Sequence, residues 1–219
     1  MTMIKSNAEQ IVTRIHQSCD KVSRDVQEVC PIIVTKNRTN EEIQEVYSLG
    51  FRHFAENRVE KLLDRQNAFP QKDIVWHLIG PLQKRKVKQI VNQIQYFHAI
   101  DRLSIMEEID KRLDSPLKCF LEVNVSGEES KHGFTISEVF EAYEVAKQYP
   151  NIEIIGLMTM APFEANDEAI RYYFKELKEV SKKLQSESTL KLSMGMSQDY
   201  PIAIEEGAHF IRIGTAWFE

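Results

Sequence analysis

The chain has 219 residues, of which 42% are hydrophobic and 28% charged, which suits one domain with a sizeable buried core. Its formal net charge of −5 excludes general electrostatic attraction to nucleic acid or to an anionic membrane surface. We therefore expect neither kind of partner.

The three cysteines are Cys19, Cys30 and Cys119, and no C-x-x-C pair occurs. An odd, widely spaced set argues against a disulfide framework or a zinc site and suits a reducing cytoplasm. The first residues lack the apolar core of a signal peptide. No stretch approaches the roughly 18 apolar residues of a membrane helix. We expect a cytoplasmic location.

The first predicted element is a leading helix over 7–29, which Pro31 ends. Short β-rich runs then alternate with helical stretches along the rest of the chain. The first of these helices starts at Thr39, a good N-cap residue, and ends at Gly50. The predicted strands are 32–35, 53–55, 74–79, 96–100, 118–125, 154–160, 192–194 and 209–213. The later predicted helices are 57–68, 83–92, 102–113, 136–148, 168–184 and 201–206.

Strict alternation of strand and helix predicts a parallel sheet, and eight such units close a barrel. The fold class is therefore α/β, a single (β/α)₈ TIM barrel with an extra N-terminal helix. We expect residues 1–219 to form one domain, with 1–30 as the leading helix and 31–219 as the barrel. A doubly wound open sheet is the alternative fold.

Active sites of such barrels lie at the carboxyl ends of the strands, and the loops after strands seven and eight often bind phosphate. Here these loops are 193–197, Ser-Met-Gly-Met-Ser, and 212–215, Arg-Ile-Gly-Thr. Small residues let backbone N–H groups approach an oxyanion, and Ser197 and Thr215 add hydroxyl groups. Two tight turns without a ligand are the alternative interpretation.

Lys36 lies at the end of the first predicted strand, on the face it shares with Val34 and Ile32. This places the amine at the barrel mouth, beside the two loops. A partly desolvated lysine gives up its proton more easily, and the neutral amine can attack an aldehyde. The alternative is an ordinary solvated loop lysine.

Arg212 lies within the apolar eighth strand, so its guanidinium needs an anionic or acceptor partner. A carboxylate and a ring nitrogen of a bound cofactor are both open at this point. Two other polar positions, His77 and His98, are interpreted as hydrogen-bonded core histidines rather than catalysts. The basic run 84–88 is interpreted as a solvated helix start, with an anionic partner as the alternative.

Several motifs in this order and spacing make the sequence resemble the YggS/PROSC family of pyridoxal 5′-phosphate (PLP) binding, or PLP homeostasis, proteins. The matching segments are 34–36 (Val-Thr-Lys), 54–57 (Phe-Ala-Glu-Asn), 76–83 (Trp-His-Leu-Ile-Gly-Pro-Leu-Gln), 98–101 (His-Ala-Ile-Asp), 124–133, 156–158 (Gly-Leu-Met), 192–199 (Leu-Ser-Met-Gly-Met-Ser-Gln-Asp) and 212–215. The chain departs from the family at 37–39, Asn-Arg-Thr, where relatives often have Thr-Lys-Pro, and at its short C-terminal end.

The resemblance implies that PLP forms a Schiff base with Lys36 and that Asn57 lies near the cofactor ring. Arg212 would face the pyridine nitrogen, as in the related barrel domain of alanine racemases. A guanidinium can only donate a hydrogen bond there, which leaves the ring a poorer electron sink. The residues implied around the phosphate are Ser193, Met196, Ser197, Gly214 and Thr215.

Three functions follow from these expectations. The first is a non-catalytic PLP carrier in PLP homeostasis, acting as a monomer and with PLP-dependent apoenzymes as possible partners. The second is a PLP-dependent amino-acid racemase, with Lys36 as one base. The third is a barrel enzyme for phosphorylated sugars, which leaves Lys36 and Arg212 without a role.

Overall fold

The computed structural model describes residues 2–128, 132–184 and 190–219, and its strands form one closed, parallel barrel. Each strand pairs with the next in sequence, and the eighth pairs with the first. The predicted α/β barrel is therefore confirmed. Part of the segment 124–133 that carried the resemblance lies outside the described residues. The strands are Cys30–Val34 (β1), His53–Glu56 (β2), Val75–Leu78 (β3), Tyr96–Ile100 (β4), Leu117–Glu122 (β5), Ile152–Met158 (β6), Lys191–Ser193 (β7) and Phe210–Ile213 (β8).

Helices surround the barrel and bury their apolar faces against it. Thr39 caps the second helix as predicted, since its hydroxyl accepts from the amide of Glu42 while the Glu42 carboxylate accepts from the amide of Thr39. Gly50, with a φ of +98°, follows that helix. The helices are Met3–Asp20 (α1), Asn40–Ser48 (α2), Val59–Ala68 (α3), Val87–Ile90 (α4), Leu103–Asp110 (α5), Glu138–Ala146 (α6), Asp167–Leu184 (α7), Tyr200–Glu205 (α8) and Thr215–Phe218 (α9).

The leading helix is shorter than predicted, because α1 ends at Asp20 rather than near Val29. The amide of Arg24 returns to the carbonyl of Cys19 at 3.0 Å, and Ser23 adopts a φ of +52°. This left-handed residue ends the helix, and a single 3₁₀ turn, Val26–Glu28, leads into β1. The predicted helix over 7–29 is thus wrong in its last third.

The leading helix also has a structural role that the sequence did not indicate. It packs against α2, α8 and α9. Since α8 has six residues and α9 only four, α1 covers the side of the barrel that these short helices leave open. The short final helix does not prevent closure, because β8 pairs with β1 from Cys30 to Ile33.

The predicted helix over 83–92 is a broken one. A 3₁₀ turn, Lys84–Lys86, precedes α4, and a second, Val91–Gln93, follows it. No side chain caps either turn, so the segment lacks the signals that sustain a longer helix. In the basic run, Lys84, Arg85 and Lys88 are exposed, whereas Lys86 pairs with Glu60 at 2.6 Å. The interpretation of the run as a solvated helix start holds.

No described helix is long and apolar enough to cross a membrane. Among the same residues, no group of histidine, cysteine, aspartate and glutamate side chains is arranged to hold a metal ion. The three cysteines, Cys19, Cys30 and Cys119, are free.

Candidate functional site

Lys36 lies in a tight turn directly after β1, at the carboxyl end of the barrel. The amide of Arg38 donates to the carbonyl of Thr35 at 3.2 Å, and Asn37 takes a φ of +62°, a conformation that asparagine tolerates. The turn leaves the Lys36 side chain exposed, while Thr35 is fully buried. Because this side chain is exposed, the expected partial desolvation of the amine is wrong for this structure.

A buried network holds this turn from below. The hydroxyl of Thr35 donates to Glu56 Oε1 at 2.7 Å, at the end of β2. From α3, Arg65 donates through Nε to the same oxygen at 3.4 Å and through Nη2 to the carbonyl groups of Thr35 and Arg38. The guanidinium thus ties the two ends of the turn to the carboxylate. The backbone beside Lys36 is held in place although its side chain is free.

The loops after β7 and β8 meet at the hydroxyl of Ser197. Its Oγ accepts hydrogen bonds from the amides of Gly214, at 3.2 Å, and Ala216, at 3.3 Å. In the described part of the chain, the amides of Ser197 and Thr215 donate to no protein group. The two loops therefore form one cluster with free backbone donors, as a phosphate site requires.

Asp199 shapes the first of these loops, a role that sequence reasoning missed. Its Oδ1 accepts from the amide of Met196 at 2.5 Å, and the carbonyl of Met196 accepts from the amides of Asp199 and Tyr200. Burial raises the pKa of Asp199, while the bond from Met196 and the Arg212 cation lower it. Met196, half-buried, is thus fixed through its backbone. The signal available was an acidic residue immediately before the Tyr-Pro start of α8.

The loop after β8 lies against the end of β1, just before the turn with Lys36. A Cβ on Gly214 would sit 3.6 Å from the Cβ of Val34, two residues before the lysine. On the other side, Asn57 follows β2 and is exposed. Gly80 packs directly on its backbone, because a Cβ there would come within 2.3 Å of the Asn57 carbonyl oxygen. The lysine turn and the two phosphate-type loops are therefore neighbours at one end of the barrel.

Arg212 projects into the barrel below this cluster and is 4% exposed. Its Nη1 donates to Ser193 Oγ at 2.7 Å, and its Nη2 to the carbonyl of Thr159 at 2.8 Å. Burial lowers the pKa of Arg212 to about 10, while Asp199 and Glu122 raise it. The group therefore stays charged at neutral pH. Neutral oxygens bind it, and the carboxylates act at longer range.

Glu122, at the end of β5, is a second residue that sequence reasoning missed. It is 3% exposed. Burial raises its pKa to about 7, helped by the carboxylate of Asp101, whereas Arg212 lowers it. A carboxyl group with a pKa near neutrality can hold or release a proton there. Asp101 itself pairs with Arg102 at 2.6 Å.

The structure brings four residues predicted around the phosphate together, whereas the side chain of Ser193 lies elsewhere. Gly214, Thr215, Met196 and Ser197 form the loop cluster described above. Ser193 instead uses its buried hydroxyl to bind Arg212 and His98, at 2.7 and 2.8 Å. Its side chain therefore belongs to the guanidinium rather than to the loops.

This barrel and its site define a class of protein. The family model described as "Alanine racemase, N-terminal domain" matches residues 7–219. A match over nearly the whole chain places this protein in that family.

Within this family the relatives are more specific. A "Pyridoxal phosphate homeostasis protein" of Aquifex aeolicus (strain VF5) is 37% identical over 217 residues, covering 95% of this chain and 94% of the relative. A protein of the same name from Pseudomonas aeruginosa is 34% identical and covers all of this chain and 96% of the relative. The chain thus belongs to the family of pyridoxal phosphate homeostasis proteins, and the resemblance inferred from its motifs is confirmed.

Solved structures agree with this placement. PipY of Synechococcus elongatus PCC7942, described "with PLP bound", superposes with a TM-score of 0.81 at 29% identity, covering 94% of this chain and 100% of PipY. An alanine racemase of Clostridium difficile 630 superposes with a TM-score of 0.73 at 13% identity. The racemase match covers 94% of this chain but 56% of the racemase chain, and at that identity it shows the shared fold alone.

Proposed function

We propose that this protein binds PLP as a Schiff base on Lys36 and serves PLP homeostasis without a strong catalytic activity of its own. The residues present fit the cofactor. Lys36 supplies an accessible primary amine for the aldehyde, the Ser197 cluster supplies backbone donors for the phosphate, and Arg212 supplies a buried donor. The relatives named for PLP homeostasis and the PLP-bound PipY structure support the same cofactor.

One observation carries the proposal: the end of β1, two residues before Lys36, lies beside the loop whose amides bind Ser197. A Cβ on Gly214 would sit 3.6 Å from that of Val34, and the Gly214 amide donates to Ser197. An aldehyde-reactive amine and a phosphate cradle are therefore adjacent on one face of the barrel. A site for phosphorylated sugars would use the cradle but would leave the lysine without a role.

The individual roles are part of the proposal. We assign Lys36 to the aldehyde, Asn57 to the neighbourhood of the ring and Arg212 to the pyridine nitrogen. Met196, Ser197, Gly214 and Thr215 surround the phosphate. Ser193 acts on the guanidinium of Arg212, as its hydrogen bonds indicate.

The charge on Arg212 limits the carbanion chemistry that a cofactor bound here would support. With a pKa of about 10 the guanidinium remains protonated, and it has no lone pair with which to accept a bond. A ring nitrogen facing it stays unprotonated and withdraws electrons from Cα less strongly. The bound cofactor is then held rather than used for carbanion chemistry.

Titration of the ligand-free protein with PLP, followed by the absorption of the bound cofactor, tests the proposal. Wild type should show a saturable band that Lys36→Ala lacks. Lys118→Ala is the matched control, because Lys118 is an exposed lysine near the opposite end of a barrel strand. An unchanged band in Lys36→Ala, or no binding by wild type, would overturn the proposal.

The proposal extends to delivery of PLP to PLP-dependent apoenzymes by a monomer in the cytoplasm. The exposure of Lys36 supports it, because a cofactor held there would be within reach of an incoming lysine amine, and exchange of one amine for the other would need no further reactant. Loaded protein should restore an apoenzyme in the presence of a phosphatase that destroys free PLP. Loss of restoration with phosphatase present would limit the protein to storage. Light scattering of the eluted protein tests the monomer.

A further inference from the structure

A chain of side-chain hydrogen bonds crosses the barrel interior and ends at Arg212. His53 Nδ1 lies 2.9 Å from His77 Nε2, and His77 Nδ1 lies 2.9 Å from His98 Nε2. His98 Nδ1 lies 2.8 Å from Ser193 Oγ, which accepts from Arg212. We name His53, His77 and His98 the histidine chain. The proposed function makes no use of it.

The three imidazoles are neutral at neutral pH. Burial lowers the pKa of His53, and it holds those of His77 and His98 well below their ordinary value. The neighbouring imidazoles add to the effect, and for His98 so does the Arg212 cation. A neutral imidazole has one N–H donor and one acceptor nitrogen. All three rings must therefore carry the proton on the same atom, either Nε2 or Nδ1.

Ser193 decides between these two arrangements. Arg212 only donates, so it occupies a lone pair of the Ser193 oxygen. With protons on Nε2, the Ser193 hydroxyl donates to His98 Nδ1, and each of the three hydrogen bonds between His53 and Ser193 has one donor and one acceptor. With protons on Nδ1, His98 donates to Ser193, whose own proton then needs another acceptor. Among the described residues the only hydrogen-bond partners of this buried hydroxyl are Arg212 and His98.

We infer that His98, supported by His77 and His53, is a positioning residue for Arg212, because it accepts a hydrogen bond from the Ser193 hydroxyl and leaves the oxygen free to accept from the guanidinium. Donation by Ser193 also makes its oxygen a stronger acceptor, as in other hydrogen-bonded chains. Ser193 and the carbonyl of Thr159 then fix the guanidinium in the barrel. The consequence for the cofactor ring rests on the proposed function, but the hydrogen-bond direction does not.

The direction can be read in the ligand-free protein by long-range ¹H–¹⁵N correlation NMR of histidine-labelled samples at neutral pH. His53, His77 and His98 should each show a proton on Nε2 and an acceptor nitrogen at Nδ1. His209 is the internal control, because its Nδ1 accepts from the amide of Leu192 at 3.1 Å. A proton on Nδ1 in any ring of the histidine chain would overturn the inference.

Variants at His98 test the positioning role. His98→Phe keeps an aromatic ring against Phe120, with which His98 stacks, but removes the acceptor for Ser193. His98→Asn restores an acceptor close to the Nδ1 position. We expect His98→Phe to shift the Arg212 side-chain NMR signals and weaken PLP binding about tenfold, and His98→Asn to recover both.

The two proposals fail in different ways. Absence of PLP binding by wild type would refute the proposed function, while the tautomers and the Arg212 signals would still decide the role of His98. Arg212 signals that are the same in His98→Phe as in wild type would overturn the positioning role. If His98→Phe does not fold, the tautomer measurement on the unchanged protein decides alone.

Discussion

Thr35, the residue before Lys36, donates a hydrogen bond of 2.7 Å from its hydroxyl to the buried carboxylate of Glu56. The bond joins the ends of β1 and β2 at the barrel mouth. Glu56 Oε2 has no hydrogen-bond partner among the described groups, so its other oxygen depends on Thr35 and Arg65. The Thr35 hydrogen bond therefore holds the backbone next to Lys36 against the end of β2.

Replacing Thr35 by valine tests this link. The side chains have the same shape, but Thr35→Val leaves the buried carboxylate with a single distant donor. We expect the free energy of unfolding to fall by about 1–3 kcal/mol and PLP binding to weaken. Urea unfolding and PLP titration measure the two effects. Thr35→Ser keeps the donor and should lose less of both, and equal losses in the two variants would contradict the role of the hydroxyl.

Ser197→Ala should weaken binding of PLP but not of pyridoxal, which lacks the phosphate. The variant releases the amides of Gly214 and Ala216 and loosens the join between the two loops. A loss of about 1–3 kcal/mol corresponds to roughly 5- to 150-fold in Kd. Calorimetric titration measures the Kd of each compound, and pyridoxal, which lacks the phosphate, is the control. An equal loss for pyridoxal would mean that Ser197 does not act through the phosphate.

Glu122 predicts a pH dependence of stability. Its pKa of about 7 in the folded chain exceeds the ordinary value of 4.5, so the folded state keeps a proton that the unfolded state releases. The contribution of protonated Glu122 to the free energy of unfolding is fully present below about pH 4.5. As pH rises from there through 7, this contribution is lost, and the free energy of unfolding falls by roughly 3 kcal/mol. Glu122→Gln cannot ionise and should gain stability over wild type between pH 4 and pH 8.

Urea unfolding across that range measures the difference. Glu9→Gln, at an exposed position on α1, is the matched control and should keep the slope of the unchanged protein. Parallel curves for wild type and Glu122→Gln would show that the Glu122 carboxyl is not held protonated.

Cα exchange separates the carrier from a racemase. A carrier without strong catalytic activity, loaded with PLP in deuterium oxide, should exchange the Cα hydrogen of L-alanine no faster than free PLP does. NMR of the recovered amino acid measures it. Exchange above that background which disappears in Lys36→Ala would establish the racemase alternative.

The sequence predicted the barrel and the meeting of the lysine turn with the two loops at one end of it, because both depend on local signals. Alternation of strand and helix sets the topology, and the turn with Lys36 follows the end of β1, where Val34 lies beside Gly214. The interpretation of His77 and His98 as hydrogen-bonded core residues was also correct.

Other features escaped the sequence because they depend on register between strands or on turn geometry. The histidine chain exists because three different strands place imidazoles about 2.9 Å apart, which no single segment encodes. Asn37, in the turn after β1, and Ser23, which ends α1 early, both take the left-handed conformation. Neither residue is a glycine, the usual signal for that conformation.

The most direct test of the account is borohydride reduction of the PLP-loaded protein, followed by mass spectrometry of the intact chain and its peptides. The account predicts one added reduced pyridoxyl phosphate group, located on Lys36 and absent from Lys36→Ala. A modification of equal extent in Lys36→Ala, or one located on another lysine of wild type, would contradict it.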